Sequence, residues 1–172
     1  MQAMEAMLTR KSVKSYKSDP VPKELIEQII EAGLNAPSGL NKQSAIILAV
    51  TDKQVRDELS KLNSLKDPFF RSDPFYGAPV VLVVLADKSV PTHVYDGSLV
   101  MENLQLAAHA LGLGACWIHR AKETFELPEG KAILQKFGIE GEYEGIGNCV
   151  IGYTDVESSK KPRKENRVYW IE

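Results

Sequence analysis

"DGSLVMENLQLAAHALGLG", residues 96 to 114, is the stretch that constrains the fold most. Its apolar and small residues fall on more than one face of a helix, whereas a helix that lies on a sheet and faces water carries one polar face. We therefore predict that the helix over 97–112 is buried on both sides. Because one 172-residue chain has little left with which to cover it, Met101 and Leu104 are expected to face a second copy of the chain.

The segments around this helix predict an α+β domain. Buried strands are expected at "SAIILAVT" (44–51), "APVVLVVLA" (78–86), "ACWI" (115–118) and "GIGNCVIGY" (145–153). The apolar spacing of "KELIEQIIEAGLNAPS" predicts a helix that ends near Asn35, and 52–65 reads as a surface helix. Strands and helices do not alternate regularly, so we predict one domain over 1–172, with a mixed, mainly antiparallel sheet flanked by helices.

"GLGACW" (112–117) is similar in composition to a dinucleotide-binding fingerprint but lies in the wrong context. That fingerprint leads from a strand into a helix, whereas here a helix precedes the glycines and a strand follows. Gly112 and Gly114 are better explained as a helix C-cap and a turn.

Composition excludes several classes of function. A net charge of −2 gives no general attraction to nucleic acid or anionic membrane, so any anion site must be local. Cys116 and Cys149 are far apart and no apolar leader is evident, which predicts reduced thiols in a cytoplasmic protein. The longest apolar runs are too short to span a bilayer, and the three histidines lack metal-ligand spacing. We predict no membrane span and no metal.

"RKSVK" (10–14) is the first candidate binding segment. In an extended backbone Arg10, Ser12 and Lys14 point to one side. A guanidinium, a hydroxyl and an ammonium in that order suit a phosphate with adjoining polyol oxygens. A solvated basic turn explains the same residues.

"APSGLNKQS" (36–44) is the second candidate. Ser38, Asn41 and Gln43 bring hydroxyl and amide groups to a loop in which Pro37 and Gly39 constrain the backbone. Such groups can bind the edge of a heterocycle. Alternatively, the loop is a helix stop whose polar side chains cap its own backbone.

Taken together, these segments resemble the FMN-dependent nitroreductase family. The resemblance continues in order through the Ala-rich helix, "GLGACWI", "GIGNCVIGY" and the Lys-x-Arg of "KKPRK". It implies a domain-sharing homodimer with two FMN sites at the interface. It also implies that NADH or NADPH reduces nitroaromatics, quinones or similar small acceptors by a ping-pong mechanism. No side chain need act as acid or base, because the flavin N5 carries the hydride.

The resemblance also assigns residues to the flavin. The phosphate would be bound by Arg10, Lys161 and Arg163. Ser12 would contact the ribityl or pyrimidine oxygens, and Lys14 would lie near N1 and O2 of the flavin ring. The partner subunit would supply 37–41, and the ring would lie along 116–119. The complete set is Arg10, Lys11, Ser12, Lys14, Pro37, Ser38, Gly39, Asn41, Cys116, Trp117, Ile118, His119, Lys161 and Arg163.

Some alternatives stay open. The aromatic stretch 66–77 either forms a lid over the flavin or fills the core beneath a surface loop. The chain could store, sense or break down flavin without turnover. A third hypothesis is a nucleotide-binding or regulatory module that uses "RKSVKSY" and "KKPRKENR" as basic arms.

Overall fold

The structure, a computed structural model, describes residues 1–65, 73–156 and 162–172. Within those ranges the helices are α1 (Ala3–Thr9), α2 (Lys23–Leu34), α3 (Lys53–Ser64), α4 (His93–Ala110), α5 (Ala121–Glu126) and α6 (Pro128–Lys136), with a short 3-10 helix at Gly39–Asn41. The strands are β1 (Ala45–Val50), β2 (Val80–Asp87), β3 (Gly114–Ile118) and β4 (Tyr143–Gly152). None of the helices in the described ranges is long and apolar enough to cross a bilayer.

The four strands form one sheet in the order β1-β2-β4-β3. All three strand pairings are antiparallel. The parallel component is a single bridge between Ser12 and Ala115 at the outer edge of β3. The predicted α+β class with a mainly antiparallel sheet is confirmed.

Helices cover both faces of the sheet, which gives the molecule two hydrophobic layers. Leu82 and Val84 of β2 belong to the layer that contains α2 and α4. Val81 and Val83 belong to the layer that contains α3, α5 and α6. Because side chains alternate along a strand, a continuous β-branched run such as β2 serves both layers and has no polar face.

α4 packs on the sheet through the residues that the sequence assigned to a subunit interface. Met101 and Leu104 are fully buried within the chain's own core. A Cβ atom on Gly33 of α2 would lie only 2.5 Å from Cδ2 of Leu104, so the two helices pack closely here. The prediction that Met101 and Leu104 face a partner is therefore wrong, because composition alone does not show which face of an apolar helix turns inward.

The opposite face of α4 is exposed in the single chain. Tyr95 is 72% exposed and Leu99 is 44% exposed, and Glu102 follows on the same side. Next to α4 in the fold, α1 adds the exposed apolar side chains of Met4, Met7 and Leu8. One chain therefore buries α4 on one side only, and apolar side chains of α4 and α1 remain exposed.

The C-terminal end of α4 confirms the predicted cap at Gly112, whereas Gly114, predicted as a turn residue, begins β3. Gly112 has a positive φ of 80° and donates its N–H to His109 O, while the Leu113 N–H bonds to Ala108 O. This is a Schellman cap, in which glycine takes up the left-handed residue at no steric cost. Gly114 lies one step further on as the first residue of β3 and packs against Val13.

Candidate active site

Segment 10–17 runs along the β3 edge of the sheet. The Val13 N–H donates to Ala115 O at 3.0 Å, and the Lys17 N–H donates to Tyr153 O at 2.8 Å. Val13 is buried against Gly114, where an added Cβ would lie 3.0 Å from Val13 Cγ1. Val13 faces inward, and Ser12 and Lys14 are exposed on the other side, whereas Arg10, which the extended pattern placed with them, is partly buried against α4.

Arg10 is held by side chains of α4. Its Nη1 donates to Gln105 Oε1 at 3.3 Å, and its Nε lies 3.4 Å from Glu102 Oε1. It lines a cavity of about 250 Å³, which we call the Arg10 cavity, together with Lys11, Gln105 and His109. The remaining lining residues are Met1, Val13, Gly112, Leu113, Gly114, Ala115, Thr154 and Val156. The two cations are suitable donors for a phosphate group, and the Gln105 amide, whose Nε2 donates to Met101 O, holds Arg10 in place.

The side chain of Lys14 approaches Tyr76. Its Nζ lies 6.0 Å from the centroid of the Tyr76 ring, at the outer limit of a cation–π contact. Tyr76 adopts a left-handed backbone with φ of 55°, in a turn where Asp73 accepts the N–H groups of Phe75 and Gly77. Arg56 and Ser60 also bond to Asp73 and fix that turn.

The described part of the aromatic stretch 66–77 packs on the core, with Tyr76 partly buried against the same layer as Phe75, and a lid over the flavin stays a prediction. Phe75 is fully buried and fills the core, whereas Tyr76 lies beside Lys14. Phe69 and Phe70 fall in 66–72, outside the described residues.

The β3 residues alternate between the two layers, so they do not form one surface. Cys116 and Ile118 are buried on the α3 and α5 side, whereas Trp117 packs on the α4 side. His119, just after β3, is exposed, and its carbonyl accepts a hydrogen bond from Asn63 Nδ2 at 2.9 Å. A flavin ring lying along β3 would therefore contact mainly the backbone of these residues and the side of the strand on which Trp117 lies.

Cys116 lies close to two cations of segment 10–17. In the fold Arg10 and Lys14 approach it, but burial dominates and raises the pKa of the thiol above its ordinary value, despite the Ser12 hydroxyl and the two cations. Cys116 and Cys149 are both free thiols. A thiol that stays protonated is a poor nucleophile.

Loop 37–43 is tied to the first turn of α4 by one buried carboxylate. Asp96 is only 4% exposed and accepts hydrogen bonds from Gly39 N at 3.0 Å, Ser44 Oγ at 2.8 Å and Thr92 Oγ1 at 3.1 Å. Burial would raise the pKa of Asp96, but the three hydrogen bonds and the nearby His93 hold it below its ordinary value. An ionised Asp96 therefore anchors the loop.

The loop itself is tightly wound. Leu40, Asn41 and Gln43 all have positive φ, at 50°, 54° and 48°. An added Cβ on Gly39 would lie 2.4 Å from Thr92 Oγ1, so only glycine lets the loop approach α4 this closely. The Gln43 N–H donates to Ser38 Oγ and the Gln43 amide donates to Asn41 Oδ1. These are the self-capping contacts of the alternative reading, and they leave Pro37 and Asn41 exposed at the loop surface.

The two predicted segments lie at different ends of α4. Asp96 and Gln105 are nine positions apart, which is about 13 Å along a helix axis at 1.5 Å per residue. Among the described residues, no hydrogen bond or ion pair joins segment 10–17 to loop 37–43. Arg163 is exposed in the terminal segment without a described contact to Arg10, and Lys161 lies outside the described residues.

Sequence reasoning missed the supporting residues on α4. Glu102, Gln105 and His109 are spaced by three and four positions, so they form a polar stripe on an otherwise apolar helix. The polar stripe could have indicated that this side of α4 supports a site. Asp96 gave no such indication, because an acidic residue is common in the first turn of a helix. In residues 1–65, 73–156 and 162–172, no group of three or more His, Cys, Asp or Glu side chains is arranged to hold a metal ion.

Comparison with known proteins identifies the family. The family model described as "Nitroreductase family" matches residues 7–153, which is most of the chain. The chain belongs to the nitroreductase family.

Similar proteins agree with this assignment across the whole chain. The FMN reductase [NAD(P)H] of Bacillus subtilis is 28% identical over 94% of this chain and 70% of that protein. An FMN-dependent nitroreductase from Clostridium difficile is 28% identical with a TM-score of 0.79, covering 97% of this chain and 98% of that one. A nitroreductase with bound FMN from Bacteroides fragilis, at 24% identity, shares the fold with a TM-score of 0.88 over 100% of both chains.

Proposed function

We propose that this nitroreductase-family chain is an FMN-dependent oxidoreductase that passes two electrons from NADH or NADPH to a nitroaromatic, quinone or similar small acceptor. The observation that carries the proposal is the arrangement along the β3 edge. Arg10 and Lys11 line a cavity, and the exposed Ser12 and Lys14 follow them along the same extended segment, an order that matches a phosphate followed by polyol and heterocycle. The names of similar proteins, which include an FMN reductase [NAD(P)H], support the same cofactor and donor.

The residues present fit FMN by their chemistry. Arg10 and Lys11 provide charged donors for the phosphate. Gln105 Oε1 accepts a hydrogen bond from the Arg10 guanidinium and so holds it in position. Ser12 offers a hydroxyl to the ribityl chain, and the Lys14 ammonium would favour negative charge on the pyrimidine side of the ring. When bound, FMN supplies hydride chemistry at N5, so the chain's own groups bind, orient and tune rather than exchange protons.

The second half of the site is proposed to come from a partner subunit. Loop 37–43 lies near the start of α4 and Arg10 near its later turns. If two α4 helices pack antiparallel about a twofold axis through their exposed Tyr95 and Leu99 faces, each loop approaches the partner's segment 10–17. The uncovered apolar face of α4 supports such an obligate homodimer.

The terminal segment also supports domain sharing. Residues 162–172 are exposed throughout, including Tyr169 at 85%, Trp170 at 84% and Ile171 at 98%. Large apolar side chains exposed to this extent favour burial against another chain. Arg163, in the same segment, stays a prediction for the phosphate, and the cytoplasmic location likewise stays a prediction.

Turnover tests the activity. The purified chain should retain or take up FMN and oxidise NADH or NADPH continuously when a nitroaromatic or quinone is added. Parallel double-reciprocal lines would support the ping-pong scheme, in which donor and acceptor use the same site in turn. Bound FMN without acceptor-dependent turnover would instead favour flavin storage, sensing or breakdown, and a chain that takes up no FMN would favour the nucleotide-binding module.

Subunit mixing tests the shared site. Arg10→Ala chains and Gly39→Val chains should each bind FMN poorly as homodimers. Heterodimers formed from an equal mixture would combine the intact segment of one chain with the intact loop of the other, restoring about a quarter of all sites by random pairing. If each site were built within one chain, no heterodimer site would be intact and the mixture would recover nothing.

A further inference from the structure

We propose that His109 is a proton-linked member of the anion site, so that a phosphate monoester entering the Arg10 cavity takes up one proton at Nδ1 of His109. The inference rests on the proposed function, since FMN is the phosphate monoester concerned. His109 is in the last turn of α4 and lines the cavity with Arg10 and Lys11. The family resemblance did not assign this residue to the site.

The hydrogen bonds around His109 decide which nitrogen is open. Thr9 Oγ1 lies 2.6 Å from Glu5 O, a carbonyl that can only accept, so the single hydroxyl proton of Thr9 is donated there. The same oxygen lies 2.8 Å from His109 Nε2 and must therefore accept from it. Neutral His109 thus carries its proton on Nε2, and Nδ1 is the nitrogen left to gain a proton. Protonation at Nδ1 keeps the Thr9 bond intact.

In the free chain the positive charges near His109 affect its pKa more strongly than the nearby acid does. Burial, followed by the positive charges of Arg10 and Lys11, lowers the pKa of His109 below the ordinary value, and Glu5 of α1 opposes them. Glu102, the next acid on α4, is engaged with Arg10. Met1 also lines the cavity and carries a terminal ammonium, whereas the other lining side chains, among them Gln105 and Thr154, carry no charge. At neutral pH the free chain therefore holds a neutral imidazole beside these cations.

A bound phosphate dianion reverses that balance. Its negative charge offsets Arg10 and Lys11 and raises the pKa of His109, so protonation and binding favour each other. FMN affinity should consequently increase as the pH falls from about 8.5 towards about 6.5, by at most about tenfold per pH unit for one proton. Protonation of the phosphate itself, with a second pKa of about 6, ends this rise at lower pH.

Titrations with two ligands test the inference. The full chain is titrated with FMN and with riboflavin, which lacks the phosphate, between about pH 6.5 and about pH 8.5, following the quenching of flavin fluorescence. The wild type should bind FMN about three- to tenfold more tightly at the acidic end, with riboflavin unaffected by pH. His109→Gln, which keeps an amide able to donate to Thr9, should show no pH dependence of its FMN affinity over the same range.

His93→Gln is the matched control, because His93 lies in the first turn of the same helix, bonded through Nδ1 to Val90 O. It should keep the wild-type pH slope. An independent readout needs no flavin: inorganic phosphate added to the chain should raise the pKa of His109 measured by NMR. Equal slopes in wild type and His109→Gln, a flat wild-type profile, or a His109 pKa unmoved by phosphate would overturn the inference while leaving FMN binding intact. Failure of the wild type to bind FMN at any pH would overturn the proposed function as well.

Discussion

Segment 10–17 and loop 37–43 are both candidate halves of one binding site, but the chain holds them in different ways. The segment is fixed by backbone hydrogen bonds to β3 and to Tyr153, just after β4, and by the buried Val13 side chain. The loop has no such pairing with the sheet before Ser44 and depends on one buried carboxylate, Asp96, together with three left-handed residues.

This difference indicates which half of the proposed binding site is already fixed in the single chain, before two subunits pair. Backbone pairing to a central sheet is lost only when the sheet opens, whereas the loop can shift with a few side-chain bonds. We therefore expect the segment to provide most of the binding free energy and the loop to adjust the geometry once subunits pair. The predictions below test this division, from the largest expected effect to the smallest.

Separating the subunits should have the largest effect. Leu99→Asp places a charge on the exposed face of α4 and should give folded monomers that lose FMN, because the loop then reaches no partner segment. Sedimentation followed at 280 nm gives the oligomeric state of the chain, and the same run followed at the flavin band gives the amount of FMN bound to it.

Leu104→Asp is the contrasting variant on the buried face. Removing a buried leucine side chain alone costs about 2–5 kcal/mol, and an unpaired buried charge costs more. This variant should lose the fold itself in circular dichroism. A stoichiometrically flavin-loaded Leu99→Asp monomer would contradict the shared site.

Arg10→Ala should weaken FMN binding by about 1.5–3 kcal/mol, the range for a hydrogen bond to a charged group. Flavin fluorescence titration measures the change. Lys17→Ala in the same segment, which removes an exposed ion pair with Asp155, is the control and should bind normally. Equal dissociation constants for wild type and Arg10→Ala would remove Arg10 from the site.

Asp96→Asn should weaken FMN binding less, by about 1–2 kcal/mol, because a neutral amide oxygen still accepts from Gly39 but more weakly than a carboxylate. Asp52→Asn is a matched control, since Asp52 also accepts a backbone N–H, from Val55 at 2.9 Å, and Asn is an equally good N-cap. If both variants changed FMN affinity equally, Asp96 would have no specific role at the site.

The lowered pKa of Asp96 gives a pH dependence. A carboxyl whose folded pKa lies below its unfolded value stabilises the fold above the unfolded value and loses that contribution as the pH falls through the folded one. Hydrogen exchange of the Gly39 N–H should therefore accelerate relative to the Val13 N–H as the pH drops below about 4, after correction for intrinsic rates. Parallel behaviour of the two amides would show that the loop is not separately anchored.

The smallest expected effect is that of Lys14→Met. Lys14 is exposed, so its removal should leave stability unchanged and lower the midpoint potential of the bound flavin by withdrawing a positive charge from the reduced form. Dye-equilibration titration measures the potential, with Lys23→Met on α2 as the control. An unchanged potential would place the ammonium away from the ring.

The sequence predicted the strands, α2, α3 and α4 because their apolar spacing is local and strong. It also placed Ser12 and Lys14 on one side of an extended segment, since alternation there follows from backbone geometry alone. The roles of individual residues towards FMN stay predictions.

The sequence did not predict α1, α5 or α6, which are short helices with weak spacing. Nor did it reveal Asp96, whose partners Gly39 and Ser44 are more than fifty positions away. The inward turn of Met101 and Leu104 was likewise set by contacts with α2 and β4 that no local pattern encodes. These features depend on tertiary contacts, which local sequence patterns do not predict.

The positions of the two tryptophans give the molecule two separate optical signals. The indole of Trp117 lies against Gly147, where an added Cβ would be 2.5 Å from Nε1, and it shares β3 with the proposed flavin edge. Trp170 is 84% exposed in the terminal segment. Emission from Trp117 is thus suited to energy transfer to a nearby isoalloxazine, while a blue shift of Trp170 would report the docking of the terminal segment. In stopped-flow fluorescence, a variant that keeps only Trp117 could follow cofactor uptake, and a variant that keeps only Trp170 could follow subunit pairing. Neither variant needs an added label.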